Sequence, residues 1–511
     1  MKKNLIRLTS LVLLCLLIPF NTKLHAQADK KDIFVFGRNQ DSKTLDPVLT
    51  ADNIDIWILP NIYDQLVRLN PKDNKLEPDL AEKWDISADK ATYTFTLRKG
   101  VVFSDGSPVK ASDVKWSLDR ARDTNNGIWA WSLDPIDSIT TPDDSTVVIK
   151  LKTPSVTFLA PLAMFNASVT SQAYFTKVGA DKFGQEPLGT GPYLLKSWDK
   201  GQSLVLERNP KYWEPGLPIT DQIKFVNIPD DNTRVLQLQS GDIDAMEYLP
   251  LSRVGELKDD PNVTVQLIPS TFVQYLLPNN RVEPYNDKNV RLALYYATDR
   301  QALLKTITFG LGTIANSYMS PATPFYSKDV TAPEFDLAKA KEYLAKSKFP
   351  NGFTTTLTIV GDDQTDVQIA TAVKEMYSKI GVTVNIEQVD QGTRSARYDK
   401  SDFQMMTSYW TDDMVDPDEL TTYIAYFPAS QSMQSGYNNA DLNKLIEQAR
   451  LESDLTKRAE DYKKIQQIFN DDAPIINLYY KPYVVGVSRK VKDLYQLPTG
   501  VYPMKLVYVE K

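Results

Sequence analysis

Residues 354–389, TTTLTIVGDDQTDVQIATAVKEMYSKIGVTVNIEQV, decide the fold class. The β-branched run 354–360 reads as a strand. Over 365–380, Val367, Ala370, Val373, Met376 and Ile380 recur at helical spacing, and Gly381 is a C-terminal stop. VTVNIEQV (382–389) is a second strand. A strand–helix–strand unit of this length implies a parallel pair joined by a right-handed crossover. A third strand, DFQMMTSYW (402–410), leads into SYWTDDMVDPDEL (408–420). In open α/β sheets ligands collect at the carboxyl ends of strands. The acids Asp412, Asp413, Asp416, Asp418 and Glu419 stand there, as a metal cage, a catalytic pair, a solvated surface or a receptor for positive charge.

The same mixed α/β character runs through the chain. ATYTFTLRKG (91–100) alternates, with Tyr93, Phe95 and Leu97 on one face and a turn at Lys99-Gly100. DVKWSLDRAR (113–122) places Val114, Leu118 and Ala121 at helical spacing. NVRLALYYATDRQALLKTI (289–307) reads as one long helix, and DLAKAKEYLAKS opens another with Asp336 as its N-cap. APIINLYYKPYVVGVS (473–488) reads as a long apolar strand. With no repeat and no Gly/Ser tether, the two or more lobes expected at this length are joined by strands.

The N-terminus has the layout of a secretory signal peptide over residues 1–28: basic MKKNLIRLTS, the apolar run LVLLCLLIPF, and small residues at Ala26 and Ala28. That run is too short to span a bilayer. The chain's single Cys (Cys15) and single His (His25) both lie in this segment. The remainder therefore offers no thiolate or imidazole, which excludes cysteine nucleophiles, Ser–His pairs, disulfides and zinc sites of the usual kind. The segment carries Lys2, Lys3, Arg7 and Lys23 and no acid, so the net charge of −7 becomes four units more negative without it. Nucleic acid is not a partner for such a chain.

GLGTIA (310–315) fits a dinucleotide-binding pattern but follows a helix rather than a strand, and so fails its context. Met414 and Val415 stand where a calcium loop needs oxygens, and no glycine supplies its turn. In Asp416-Pro417-Asp418-Glu419 the N-cap, N1 and capping-box preferences are all met, so these acids read as a helix start. Successive strand residues face opposite ways, so one of Asp412 and Asp413 faces the ligand side. A carboxylate beside Tyr409 and Trp410 suits an ammonium group, with a cation–π contribution of roughly 0.5–2 kcal/mol.

Several blocks resemble a known family: YDQLVRLNPKDNKLEPDLAEKWDISADKATYTFTLRKGVVFSDGSPVKASDVKWSLDRA (63–121), LGTGPYLLKSWDKGQSLVLERNPKYW (188–213), VRLALYYATDRQALLKTITFG (290–310), YNNADLNKLIEQAR (437–450) and APIINLYY (473–480). In this order they are similar to the family 5 extracellular solute-binding proteins, the dipeptide and oligopeptide receptors of ABC importers. The resemblance implies an α/β, two-lobed periplasmic binding protein of class II (a Venus-flytrap) with an extra subdomain. Lobe 1 takes 29–275 plus 483–511, with the subdomain at about 75–187, and lobe 2 takes 276–482. The crossings fall near 270–272 and 480–483. Peptide-binding members share a W-x-x-D element whose Asp holds the ligand ammonium. Here it is Trp410-Thr411-Asp412-Asp413, so the role falls on Asp413 and Asp412 is turned away. The strand Tyr409 to Thr411 offers backbone groups to an extended ligand. Opposite stands the lobe 1 segment from Thr50 to Asn53.

Dipeptide-specific members carry an Arg after the strand that here is TTTLTIV. This chain has Gly361-Asp362-Asp363-Gln364 instead, leaving Arg394 and Arg397 as other anion partners. The implied function is a periplasmic receptor for peptides or peptide-like amines, monomeric, delivering its solute to a membrane ABC permease. It needs no cofactor or metal and catalyses nothing. Alternatives are the same receptor for an opine, a polyamine-like cation or an oligosaccharide, and a hydrolase on a two-lobed scaffold.

Overall fold

The computed structural model describes residues 30–511 except 126 and 128. The signal-peptide reading of 1–28 lies outside the described residues. Two mixed sheets form the two lobes. The first, of seven strands, runs Val263–Ile268, Tyr483–Ser488, Ala245–Met246, Ile33–Arg38, Gln222–Asn227, Ser203–Arg208 and Tyr193–Asp199. The second, of six, runs Thr313–Ile314, Ile476–Tyr480, Val273–Pro278, Met405–Trp410, Thr354–Val360 and Thr383–Val389. A four-stranded antiparallel sheet, with Thr92–Leu97 inside it, builds the subdomain. Its alternation is as read: Tyr93, Phe95 and Leu97 are buried in one core with Val114, Leu118 and Ala121 of the helix Ala111–Ala121.

The strand–helix–strand unit closes as expected. Thr354–Val360 pairs in parallel with Thr383–Val389, from Thr354↔Thr383 to Val360↔Val389, around the helix Gln364–Ser378. The helix begins at Asp363, whose carboxylate accepts from the N–H groups of Thr365 and Asp366. After it, Gly381 takes φ +84°, and a Cβ there would lie 3.2 Å from the Asn351 carbonyl oxygen. Asp336 likewise caps Leu337–Ala345.

Three expectations shift. The long helix at 289–307 is two, Lys288–Ala297 and Arg300–Ile307. Thr298 leaves helical conformation, its hydroxyl bonding the Leu294 carbonyl, and Asp299 caps the second helix through the Ala302 N–H. The apolar run 473–488 is also two strands, Ile476–Tyr480 and Tyr483–Ser488, in different sheets. Pro482, which has no N–H for a ladder, stands at the break. Finally, the boundary at 275 cuts the continuous strand Val273–Pro278, whose ladder partners belong to the second sheet. The first crossing therefore lies between Ile268 and Val273. Ser270 ties the crossings together, its hydroxyl donating to the Lys481 carbonyl and its own carbonyl accepting from Ser320 Oγ.

Candidate functional site

The strand Met405–Trp410 lies inside the second sheet, and its first four residues are buried on both faces. At its carboxyl end the chain runs into a cleft of about 620 Å³ between the lobes. Tyr409, Trp410, Thr411 and Asp413 line one wall, with Asp52, Asn53, Trp129 and Tyr248 of lobe 1 opposite. Tyr409 is 56 % exposed, and its ring stacks on Phe272 at 5.2 Å. Over the Phe272 ring stands the Lys481 ammonium, 4.2 Å from the centroid. The first crossing thus touches the aromatic that faces the cleft, and the second touches Phe272 behind it.

The pair Asp412-Asp413, beyond the end of the strand at Trp410, divides between core and cleft. Asp412 is fully buried, accepting from Trp410 Nε1 at 3.0 Å and Thr323 Oγ1 at 3.0 Å. Its N–H donates to Thr271 Oγ1 at 2.8 Å, anchoring the turn to the first crossing. The Asp413 carboxylate has no hydrogen-bond or ion-pair partner among the described residues. Burial alone pushes its pKa up to about 7. Such a carboxylate is able to take up a cation, because its charged form gains most when a charge arrives.

The three acids that follow are structural, with one change of partner. Asp416 caps the helix Pro417–Ile424 through the Asp418 N–H and takes both Arg458 Nη atoms at 2.8 Å. Asp418 pairs with Arg450. Glu419 does not close a capping box on Asp416. Its carboxylate is buried and instead accepts from the N–H groups of Asp413 at 3.0 Å and Met414 at 2.7 Å. It shapes the turn that presents Asp413. Met414 then inserts its side chain into the lobe 1 core cluster that holds Ile56, Trp57, Phe165 and Met504.

The lobe 1 residues named from sequence part company. Asn53 lines the cleft, whereas Thr50 is buried and is not among the lining residues. The Thr50 hydroxyl donates to Asp55 Oδ2 at 3.0 Å, and its carbonyl accepts from Trp129 Nε1 at 3.0 Å. It positions Trp129, which does line the cleft. Of the two arginines, Arg394 lines the cleft, whereas Arg397 is paired with Glu387 and is not among the lining residues. Trp129 and Tyr248 escaped the sequence reading, since nothing local marks them. Both reach the site through distant packing, Trp129 against Phe165 and Tyr248 against Trp57.

Among the described residues no group of His, Cys, Asp and Glu is arranged to hold a metal ion, and no helix is long and apolar enough to cross a membrane.

The family model for bacterial extracellular solute-binding proteins, family 5 Middle, matches residues 75–431. The chain is 32 % identical over 494 residues to the probable D,D-dipeptide-binding periplasmic protein DdpA of Escherichia coli K12, covering 94 % of each chain. It is 30 % identical over 482 residues to the glutathione-binding protein GsiB of Escherichia coli O6:K15:H31, covering 93 % of each. Among solved structures it resembles the ABC transporter-associated periplasmic binding protein DppA of Helicobacter pylori in complex with the peptide STSA. That match has a TM-score of 0.83 at 30 % identity and covers 94 % of this chain and 98 % of the other. The two-lobed α/β fold and the full-length matches agree, and the chain belongs to the family 5 bacterial extracellular solute-binding proteins.

Proposed function

We propose that this protein is the receptor of an ABC importer for peptides or peptide-like solutes carrying a free amine. The single observation that carries the reading is Asp413, a desolvated carboxylate without a partner among the described residues, at the wall between the lobes. Tyr409 and Trp410 flank the ammonium, and the strand end through Thr411 offers the ligand its backbone. Asn53 meets it from lobe 1. The peptide and glutathione ligands in the relatives' names support the same chemistry. In this reading residues 1–28 direct export and are removed near Ala26 or Ala28. The receptor acts as a monomer and passes its ligand to a membrane permease without making or breaking a bond.

The test is calorimetry with trialanine and N-acetyl-trialanine on the wild type and on Asp413→Asn. A charge-assisted bond is worth roughly 1.5–3 kcal/mol, so the variant is expected to lose roughly 10- to 100-fold in affinity for trialanine. The acetylated peptide binds both proteins equally weakly. Unchanged trialanine affinity in Asp413→Asn removes the assignment.

A further inference from the structure

Asp413 accounts for one end of a ligand, and among the described residues a second charged group in the same cleft makes no direct ion pair. Arg394, on the helix Gln391–Asp399, donates from Nη2 to the Thr407 carbonyl at 3.0 Å and to Ser408 Oγ at 3.1 Å. Among the described residues its Nε and Nη1 donate to nothing, and no carboxylate forms an ion pair with it. The neighbouring acids in the cleft have backbone donors: Asp363 caps the helix that follows it, and Asp366, near enough to feel the Arg394 charge but not in an ion pair with it, accepts from the Val360 N–H at 3.2 Å. Arg397, three residues on, has Glu387.

The ladder beside Arg394 is incomplete. Thr354–Val360 pairs with Met405–Trp410 only at Leu357↔Met405 and Thr358↔Met406. From Thr407 onward, the edge on that side has no strand partner among the described residues. Arg394 takes the Thr407 carbonyl at the start of this open edge, and Asp413 stands beyond its end. Between them Ser408 to Thr411 spans three residue steps, roughly 10 Å of extended chain.

We propose that Arg394 receives the carboxylate of the ligand, so that the cleft selects an extended zwitterion of about three residues. Its ammonium lies on Asp413 and its backbone along Ser408–Thr411. A planar guanidinium with free N–H groups suits a carboxylate's two oxygens. The inference rests on the ammonium reading of Asp413 and adds the opposite anchor and the length.

Calorimetry on the wild type and Arg394→Gln tests it, with dialanine to pentaalanine as free acids and trialanine amide as the uncharged-end control. The wild type is expected to bind trialanine best in the length series, and roughly 10- to 100-fold tighter than its amide. Arg394→Gln is expected to bind acid and amide alike, near the wild-type affinity for the amide, which also shows that the variant is folded. Equal affinity for acid and amide in the wild type, an acid preference that survives in Arg394→Gln, or no optimum at three residues overturns the inference. Those outcomes leave Asp413-dependent binding standing. Failure of every peptide to bind the wild type overturns both readings.

Discussion

Two clusters of carboxylates border one small cavity of about 70 Å³, and they are built on opposite terms. On the lobe 1 side, Asp79, Glu77 and Glu214 surround Arg68, which pairs with all three, and Lys505 pairs with Glu214 at 2.8 Å. Asp64 accepts from Trp213 Nε1 at 3.0 Å. On the lobe 2 side, Asp412, Asp413 and Glu419 have no lysine or arginine ion pair among the described residues. Hydroxyl, indole and backbone N–H groups serve Asp412 and Glu419, and nothing serves Asp413. Acids gathered around cations hold a structure together. Acids gathered without one raise each other's proton affinity, and the open position is where an incoming cation gains most.

The largest expected effect that separates the two is at Arg68. Arg68→Ala leaves Asp79 and Glu214 without their shared cation, and breaking a buried pair from one side costs about 3 kcal/mol. Urea unfolding of the ligand-free protein is expected to show that loss, with the acid-over-amide preference for trialanine unchanged. A variant as stable as the wild type would place the lobe 1 cluster with the binding machinery instead.

Protonation sharpens the contrast at smaller cost. Burial raises Asp413 from the usual carboxylate value to about 7. Between about pH 4 and pH 7 the folded protein therefore holds a proton that the unfolded chain has released. Stability falls as pH rises through that window and levels off above it. Asp412 and Asp79, each pushed up to about 8, push in the same direction. The Asp413 share is thus the difference between wild type and Asp413→Asn. Thermal unfolding at pH 5, 6, 7 and 8 without ligand is expected to favour the variant increasingly with pH, by about 1–2 kcal/mol at pH 8. The full shift of about 1.36 kcal/mol per unit is not realised, because Asp413 is partly exposed at the cleft wall and solvent screens it. Parallel curves would show that Asp413 is not desolvated. Affinity for an ammonium ligand runs the other way, rising with pH until Asp413 is ionised.

How much of this was legible in the sequence depends on range. The parallel unit at 354–389 follows from β-branched runs and a helical stripe, and the caps at Asp336 and Asp416 from local preference, because each is decided within a few residues. The break at Thr298 was hidden because an apolar period runs through it, and Asp299 was an N-cap signal in plain view. The partner of Glu419 misled because a capping box is the local solution, while the observed one satisfies two N–H groups of a turn that only the packed lobes create. Thr50 was placed one layer too far forward, since sequence does not tell a residue that touches a ligand from one that holds Trp129. The Arg68 cluster joins residues 68, 79, 214 and 505, and no local pattern links them.

The same difference between clusters bears on how the lobes stay together, where the smallest effect is expected. Among the apolar contacts that cross from lobe to lobe, two lie beside the site. Met414 is buried in the lobe 1 core, worth roughly 1.5–3 kcal/mol. Trp131 of the subdomain meets the Tyr423 ring edge-on at 5.1 Å, worth about 0.5–1.5 kcal/mol. Tyr423 in turn packs on Trp410 at 4.8 Å, so the second contact leans on the aromatic wall of the cleft. If ligand charge satisfies Asp413 and these contacts then hold the lobes shut, losing the weaker one speeds ligand escape without unfolding anything. Trp131→Ala is expected to raise the dissociation rate of a bound peptide about fivefold in stopped-flow, matching about 1 kcal/mol. Thermal stability of the ligand-free protein is expected to change little. An unchanged rate would assign retention to Met414 and the charged anchors alone. A large loss of stability would show that Trp131 supports the subdomain core rather than the contact between lobes.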